Sequence, residues 1–344
     1  MHSFDDILRQ FDYTLPDELI AHTPADPRDS SQLLIHHRKS GETKWDIFHN
    51  VGDYLPQNAL LVLNETKVIP ARLVLTRVTG GKVAVLCLGL EGELVRVLAN
   101  RKLKLGEALT IGDDALFSVE GQDEKYWLLR PMFPLAQFHR ILDTHGDMPL
   151  PPYIHSPLSR EELKRQYQTV FAKEEGSVAA PTASLHFTPE LLLRLQEQGI
   201  GFARVTLHVH LGTFAPLTEE HWNSGTLHAE RYHIDAESVV QLEQAKAEGR
   251  TIIPVGTTAL RTLESAFDAQ GKCIAPKGET ALFIREGYPF KMADGLITNF
   301  HVPKSSLLML VCAFAGREAV LDLYRQAIER RLRFFSFGDG MLLL

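Results

Sequence analysis

The chain has 344 residues, more than one ordinary hydrophobic core organises and enough for two domains. Hydrophobic residues make up 44% and charged residues 23%, ordinary globular usage that argues against a disordered or fibrous chain. The formal net charge of −7 argues against a basic nucleic-acid coat, so any contact with nucleic acid has to come from local clusters.

The N-terminal stretch carries Asp5 and Asp6 and has no apolar core, unlike a signal peptide. No apolar run approaches the roughly 18 residues of a spanning helix. These features predict a cytoplasmic protein that does not enter a membrane. Residues 1–58 include Phe11-Asp-Tyr-Thr-Leu-Pro16 and the polar stretch Pro24 to Ser31, show no barrel pattern, and are assigned to the larger domain.

From Ala59 to about Trp127 the texture is short Val- and Leu-rich runs at 59–64, 71–78, 82–90, 93–99 and 115–120. Gly80-Gly81, Glu91-Gly92 and Gly112-Asp113-Asp114 separate them, and no helical period appears. Several strands at regular spacing predict a small closed barrel or sandwich. Residues 61–110 hold eight Lys or Arg (67, 72, 77, 82, 96, 101, 102, 104) against four Glu, a local basic excess. Arg325, Arg330, Arg331 and Arg333 form a second cluster.

After about Leu150 strands and helices alternate. Ser159-Arg-Glu-Glu162 is a capping box. Thr188-Pro189 opens a helix that Gly199 ends. Strands are expected at 202–211, 251–256 and 280–284, and helices at 236–249, 258–269 and 316–332. Leu307 to Ala315 reads as a buried strand or a short core helix. The alternation predicts a layered α/β domain or a partial barrel. No coiled-coil pattern appears, so a monomer without a stable protein partner is expected. Cys87, Cys273 and Cys312 lie far apart without C-x-x-C spacing, which predicts reduced thiols and argues against a three-cysteine iron–sulfur motif.

Five stretches carry chemical groups. On a strand, His208 and His210 share a face, either as a metal pair, a substrate-binding pair or hydrogen-bonded core histidines. Thr298-Asn299-Phe300-His301 and Lys304 put amide, imidazole and ammonium groups beside a Pro turn, as a site-lining loop does. Gly256-Thr257-Thr258 opens a helix whose free N–H groups suit an anion, or is simply a tidy turn. Arg333 to Gly340 brings three Phe rings and Asp339 together at a turn. Asn64 to Arg72, with Lys67, crosses the domain junction and can face a cleft. No Rossmann glycine motif, P-loop or nucleophile elbow is present.

Taken in order, these blocks resemble the S-adenosylmethionine:tRNA ribosyltransferase-isomerases of queuosine biosynthesis. FDYTLPDELIAHTPADPRDSSQLL, LVLNETKVIPARL, MPLPPYI, YQTVFAKEEGSVAAPTASLHFT, VTLHVHLGTF, HAERYHI, GTTALRTLES, TNFHVPKSSLLMLVCAFAG and RFFSFGDGMLL carry the resemblance, while residues 73–147 match only in texture. It implies a larger mixed α/β, partial-barrel-like domain of residues 1–62 and 150–344, interrupted by a small β-barrel at 63–149. It implies no metal and no cofactor, with S-adenosylmethionine as co-substrate. The implied partner is tRNA bearing a 7-aminomethyl-7-deazaguanine wobble base, and the implied products are epoxyqueuosine-tRNA, adenine and methionine.

In the mechanism proposed for that family, a base removes the C5′ proton that the sulfonium acidifies. Adenine then leaves, the amine adds, and an alkoxide expels methionine to close an epoxide. His208 or His210 is the expected base, and His301 or Asp339 the proton source for adenine. Phe214, Tyr232 and Phe335 suit the sulfonium. Lys304 or the Thr257/Thr258 helix start suits the methionine carboxylate. Asn64, Lys67, Arg72, Thr182, His186, Thr213 and Asn299 complete the expected substrate contacts. Two rival readings are a metal-dependent hydrolase using the His-x-His strand and a non-catalytic RNA-binding protein.

Overall fold

The computed structural model describes residues 3–112, 115–209 and 216–344. Its body is built on a nine-stranded sheet. The central strands Gly201–Leu207, Leu60–Asn64, Ile252–Val255 and Leu296–Asn299 run parallel as neighbours in that order. Gly340–Leu343 follows antiparallel to Leu296–Asn299 and pairs in parallel with Gln32–His36. Antiparallel strands finish both edges: Thr43–Ile47 on one side, Thr226–His233 and Lys277–Leu282 on the other.

The middle strands read as unbroken apolar runs because both faces are covered. All five residues of Leu60–Asn64 are buried, as are all four of Ile252–Val255. Leu61 and Ile253 belong to the core on one face, and Leu60 and Ile252 to the core on the other. Each such side chain contributes on the order of 2 kcal/mol by leaving water. This corrects the placement of the 59–64 run among the barrel strands. A barrel strand has one wet face and alternates, as Arg72–Arg77 does, whereas Leu-Leu-Val-Leu marks a strand buried on both sides.

The barrel is closed and six-stranded, ordered Tyr126–Pro131, Leu94–Ala99, Lys82–Glu91, Arg72–Arg77, Ala108–Ile111 and Ala115–Asp123. Two of these, Ala108–Ile111 and Tyr126–Pro131, were not among the expected runs. The first is only four residues long, and the second lies beyond the apolar stretch that drew attention. Phe138, Ile141 and Leu142 from the helix Phe138–His145 join the barrel core.

In the body the capping signals hold. Ser159 caps Arg160–Gln166 with Glu162 reaching back, and Thr188 caps Pro189–Glu197. The ambiguous apolar run is a helix, Ser306–Ala315, whose Ser305 hydroxyl accepts from the Leu308 amide. The helices expected at 236–249, 258–269 and 316–332 are Ala236–Ala247, Thr257–Ala266 and Arg317–Glu329, and two short helices run over Phe4–Arg9 and Glu219–Ser224. The strand expected through 211 ends at Leu207, and the strand expected at 280–284 is Lys277–Leu282. Cys87 and Cys312 are buried and none of the three cysteines is bonded to another. No described helix is long and apolar enough to cross a membrane.

Candidate functional site

Four parallel strands bring their carboxyl ends to one edge of the sheet, so Asn64, Leu207, Gly256 and Asn299 converge there. Ligands of open α/β sheets bind at this edge, outside the strand ends. A cavity of about 440 Å³ opens beside it, lined by Thr257, Thr258, Asn299, His301, Lys304 and Phe335 among others. Among the described lining residues Lys304 is the only Lys or Arg, and none is Asp or Glu.

Gly256 has φ +90°, a conformation that glycine adopts without strain, and it turns the chain from strand into the helix Thr257–Ala266. No side chain caps that helix start, which leaves its first amides without a capping partner, as an anion-binding helix start requires. The register of the turn is fixed from below by Asn64. Its Nδ2 donates to the Leu207 carbonyl (3.1 Å) and to Thr258 Oγ1 (3.2 Å). Its Oδ1 accepts from the amides of Leu207 (3.0 Å) and Thr66 (3.2 Å). Fully buried and fully satisfied, Asn64 stitches strand ends together rather than lining the cavity.

Asn299 is buried at the cavity wall with its amide orientation set by its neighbours. Nδ2 donates to the Phe335 carbonyl at 3.2 Å and faces His186 Nε2 at 3.4 Å. Oδ1 accepts from the Thr182 hydroxyl at 3.2 Å. His186 in turn contacts Ser31 Oγ through Nδ1 at 2.8 Å and stacks on Phe48. Burial, reinforced by the cations of Arg333 and Arg28, pushes the His186 pKa down to about 3. The ring is therefore neutral, and with Nε2 facing a donor its proton sits on Nδ1 and is donated to Ser31. His186 thus stands behind Asn299 and does not line the cavity.

His301 is held on three sides. Its Nε2 meets Thr298 Oγ1 at 2.8 Å, its amide donates to the Tyr324 hydroxyl at 2.8 Å, and its carbonyl accepts from the Tyr13 hydroxyl. Burial lowers its pKa to about 3, so it presents a neutral imidazole. Lys304 follows in a left-handed conformation, φ +58°. Its amide donates to the Phe11 carbonyl at 2.9 Å and its ammonium pairs with Asp12 at 2.8 Å. Aromatic rings complete the lining: Phe335, with φ +71°, lies 4.9 Å from the Tyr153 ring, and the Tyr153 hydroxyl meets Ser336 Oγ at 2.8 Å.

Of the expected site residues, Thr182, Thr257, Thr258, Asn299, His301, Lys304 and Phe335 come together in this cavity. His210, Thr213 and Phe214 lie outside the described residues. His208 lies just past the end of the strand Gly201–Leu207. Its Nδ1 meets Thr66 Oγ1 at 3.0 Å and its ring covers Gly176, where an added Cβ would lie 3.0 Å from it. His208 itself does not line the cavity, although its neighbour Val209 does. Asp339 is buried and accepts from the amides of Gln32 (2.9 Å) and Arg333 (2.7 Å), locking the C-terminal turn. Burial raises its pKa. Tyr232, on the outer strand Thr226–His233, packs into the core and lies against its partner Gly278 on the edge strand. Lys67 pairs with Glu175 at 2.8 Å, and exposed Arg72 donates to the Leu150 carbonyl.

Local acids neutralise much of both basic clusters. Arg77 pairs with Glu107, Arg96 with Asp123, and Arg325 with Asp322 and Glu329. Arg101, Lys102 and Lys104 stand exposed on the barrel. Thr298 of the expected site loop lines the cavity too, as do Leu8, Tyr153 and Ser336, which were not among the expected contacts. Tyr153 and Ser336 fall inside the motif blocks and could have been found there, whereas Leu8 carries no chemical signal.

A family profile described as "Queuosine biosynthesis protein" matches residues 8–343. The chain is 47% identical over 341 residues to the S-adenosylmethionine:tRNA ribosyltransferase-isomerase of Carboxydothermus hydrogenoformans, covering 98% of this chain and 99% of that one. It is 45% identical over 344 residues to the protein of the same name from Halothermothrix orenii, covering 98% and 99%. A crystal structure of S-adenosylmethionine tRNA ribosyltransferase from Thermotoga maritima matches with a TM-score of 0.55 at 36% identity, over 97% of this chain and 100% of that one. These matches run through the cavity residues and the barrel alike, so the chain belongs to the queuosine biosynthesis family of S-adenosylmethionine:tRNA ribosyltransferase-isomerases and is a transferase.

Proposed function

We propose that this enzyme moves the ribosyl group of S-adenosylmethionine onto 7-aminomethyl-7-deazaguanine at the tRNA wobble position. The products are epoxyqueuosine-tRNA, adenine and methionine, and S-adenosylmethionine is consumed as a co-substrate with no further cofactor. The observation that carries this reading is the composition of the cavity wall among the described residues: neutral His301, a fixed carboxamide, the amides of a helix start, the Lys304 ammonium and the rings of Phe335 and Tyr153.

Each group fits one part of that substrate. The Phe335 and Tyr153 faces suit a sulfonium, which a ring attracts by its quadrupole. Asn299 Oδ1 is an acceptor facing Thr182 at the cavity wall and suits an exocyclic amine or a ribose hydroxyl. His301, neutral at working pH, has one N–H to offer to departing adenine and suits a hydrogen-bond donor better than a full acid. His208 and His210 are kept as the assigned bases for C5′, His208 being the chain neighbour of Val209, which lines the cavity. Lys67 and Arg72, on the approach to the barrel, are assigned to the tRNA.

The test is to incubate the protein with S-adenosylmethionine and tRNA carrying the deazaguanine precursor and to follow small-molecule release by chromatography. Adenine and methionine released in equal amounts, and only with that tRNA, are expected. Release of S-adenosylhomocysteine instead would overturn the proposal.

A further inference from the structure

The N-terminal Phe11-Asp12-Tyr13 segment is bound to the site loop at three consecutive points. The Phe11 carbonyl accepts from the Lys304 amide, Asp12 pairs with the Lys304 ammonium, and the Tyr13 hydroxyl donates to the His301 carbonyl. Phe11 is buried in the core and Tyr13 packs edge-on against Tyr324 at 5.0 Å, so both neighbours of Asp12 are anchored. Lys304 keeps a left-handed backbone that non-glycine residues rarely adopt, which the hydrogen bond from its N–H to the Phe11 carbonyl helps to hold. A half-exposed Lys–Asp pair adds little to stability. Here Lys304 lines the reaction cavity, and the anchored N-terminal segment holds Asp12 against its ammonium.

Charge gives this arrangement a use. The sulfonium substrate carries two positive groups, sulfonium and α-ammonium, and one carboxylate. The described cavity wall offers one cation, Lys304, and no carboxylate. Asp12, one ion pair away, supplies the missing negative charge. An ammonium and a carboxylate 2.8 Å apart are complementary to the adjacent carboxylate and ammonium of an α-amino acid. We infer that Asp12 and Lys304 together form a zwitterion-recognition subsite: Lys304 takes the α-carboxylate of the methionine portion and Asp12 takes its α-ammonium. The pair then selects sulfonium nucleosides that carry an intact amino-acid end. This rests on the reading of the cavity as the S-adenosylmethionine site.

Titration calorimetry tests it with two ligands, S-adenosylmethionine and the corresponding sulfonium lacking only the α-amino group. The wild-type protein is expected to bind the intact ligand about tenfold more tightly, the value of one charge-assisted hydrogen bond partly open to water. D12N is expected to lose that preference by weakening the intact ligand alone, and D12E to recover part of it. Equal wild-type affinity for the two ligands would overturn the subsite, and so would D12N weakening both ligands alike, as a merely structural defect does. If the wild type bound neither ligand, the cavity reading itself would fall and the subsite with it.

Discussion

Asn64 Nδ2 donates to Thr258 Oγ1 across 3.2 Å, fastening the end of one central strand to the first turn of the helix that leaves its neighbour. With its three other bonds Asn64 fixes where the helix amides face the cavity. N64L keeps the volume and strands the groups Asn64 satisfies. It should lower stability by about 2–4 kcal/mol, read as a fall in the midpoint of chemical denaturation. An unchanged midpoint would show that the strand ends hold without it.

Gly256 gives a cleaner probe of the helix start. A Cβ there would meet Thr258 Oγ1 at 3.7 Å and Ala183 Cβ at 3.8 Å, both ordinary contacts. The cost of G256A is therefore the left-handed φ alone, about 1–2 kcal/mol. Some of it should appear as weaker S-adenosylmethionine binding, because relaxing φ re-aims the amides. A variant with wild-type stability and affinity would mean the turn is not constrained.

His186 sets a pH dependence. Its folded pKa of about 3 lies below the ordinary value of 6.5, so the unfolded chain binds the extra proton first. Stability is complete above pH 6.5 and falls as the pH drops toward 3. By linkage this one group costs at most about 2 kcal/mol at pH 5. H186Q, which keeps a hydrogen-bonding side chain and cannot titrate, should flatten the part of the denaturation–pH curve between 5 and 6.5 that this residue supplies. A curve with the same slope in both proteins would place the titrating groups elsewhere.

Phe335 tests the aromatic wall. F335L keeps most of the buried volume and removes the ring face. We expect S-adenosylmethionine affinity to fall about five- to tenfold, the order of one cation–π contact out of water. Binding of adenine, which carries no sulfonium, should change less. Equal losses for both ligands would assign Phe335 to packing.

Much of the architecture was legible because pattern follows burial. Alternating runs such as Arg72–Arg77 announced one-sided barrel strands, and caps at Ser159 and Thr188 marked helix starts. Leu60–Asn64 misled because a strand buried on both faces differs from a barrel strand only in lacking alternation. The cavity was half legible. Asn299, His301 and Lys304 fall within six residues beside Pro303, a density of polar groups that no core requires. Asn64, His186 and Asp339 looked equally chemical, yet their polar atoms are met inside the protein. Residue type alone does not say whether a hydrogen bond is satisfied internally. Leu8 reaches the cavity through long-range topology, which local pattern does not encode.

The central claim is that the sugar of S-adenosylmethionine, not its methyl group, is transferred. Supplying the enzyme with precursor-bearing tRNA and S-adenosylmethionine labelled with carbon-13 throughout the ribose, and weighing the digested anticodon nucleosides, tests this most directly. The account predicts every labelled ribose carbon in the modified base, with adenine and methionine released unlabelled. Label remaining in an adenosyl by-product, beside a base heavier by one methyl group, would contradict it.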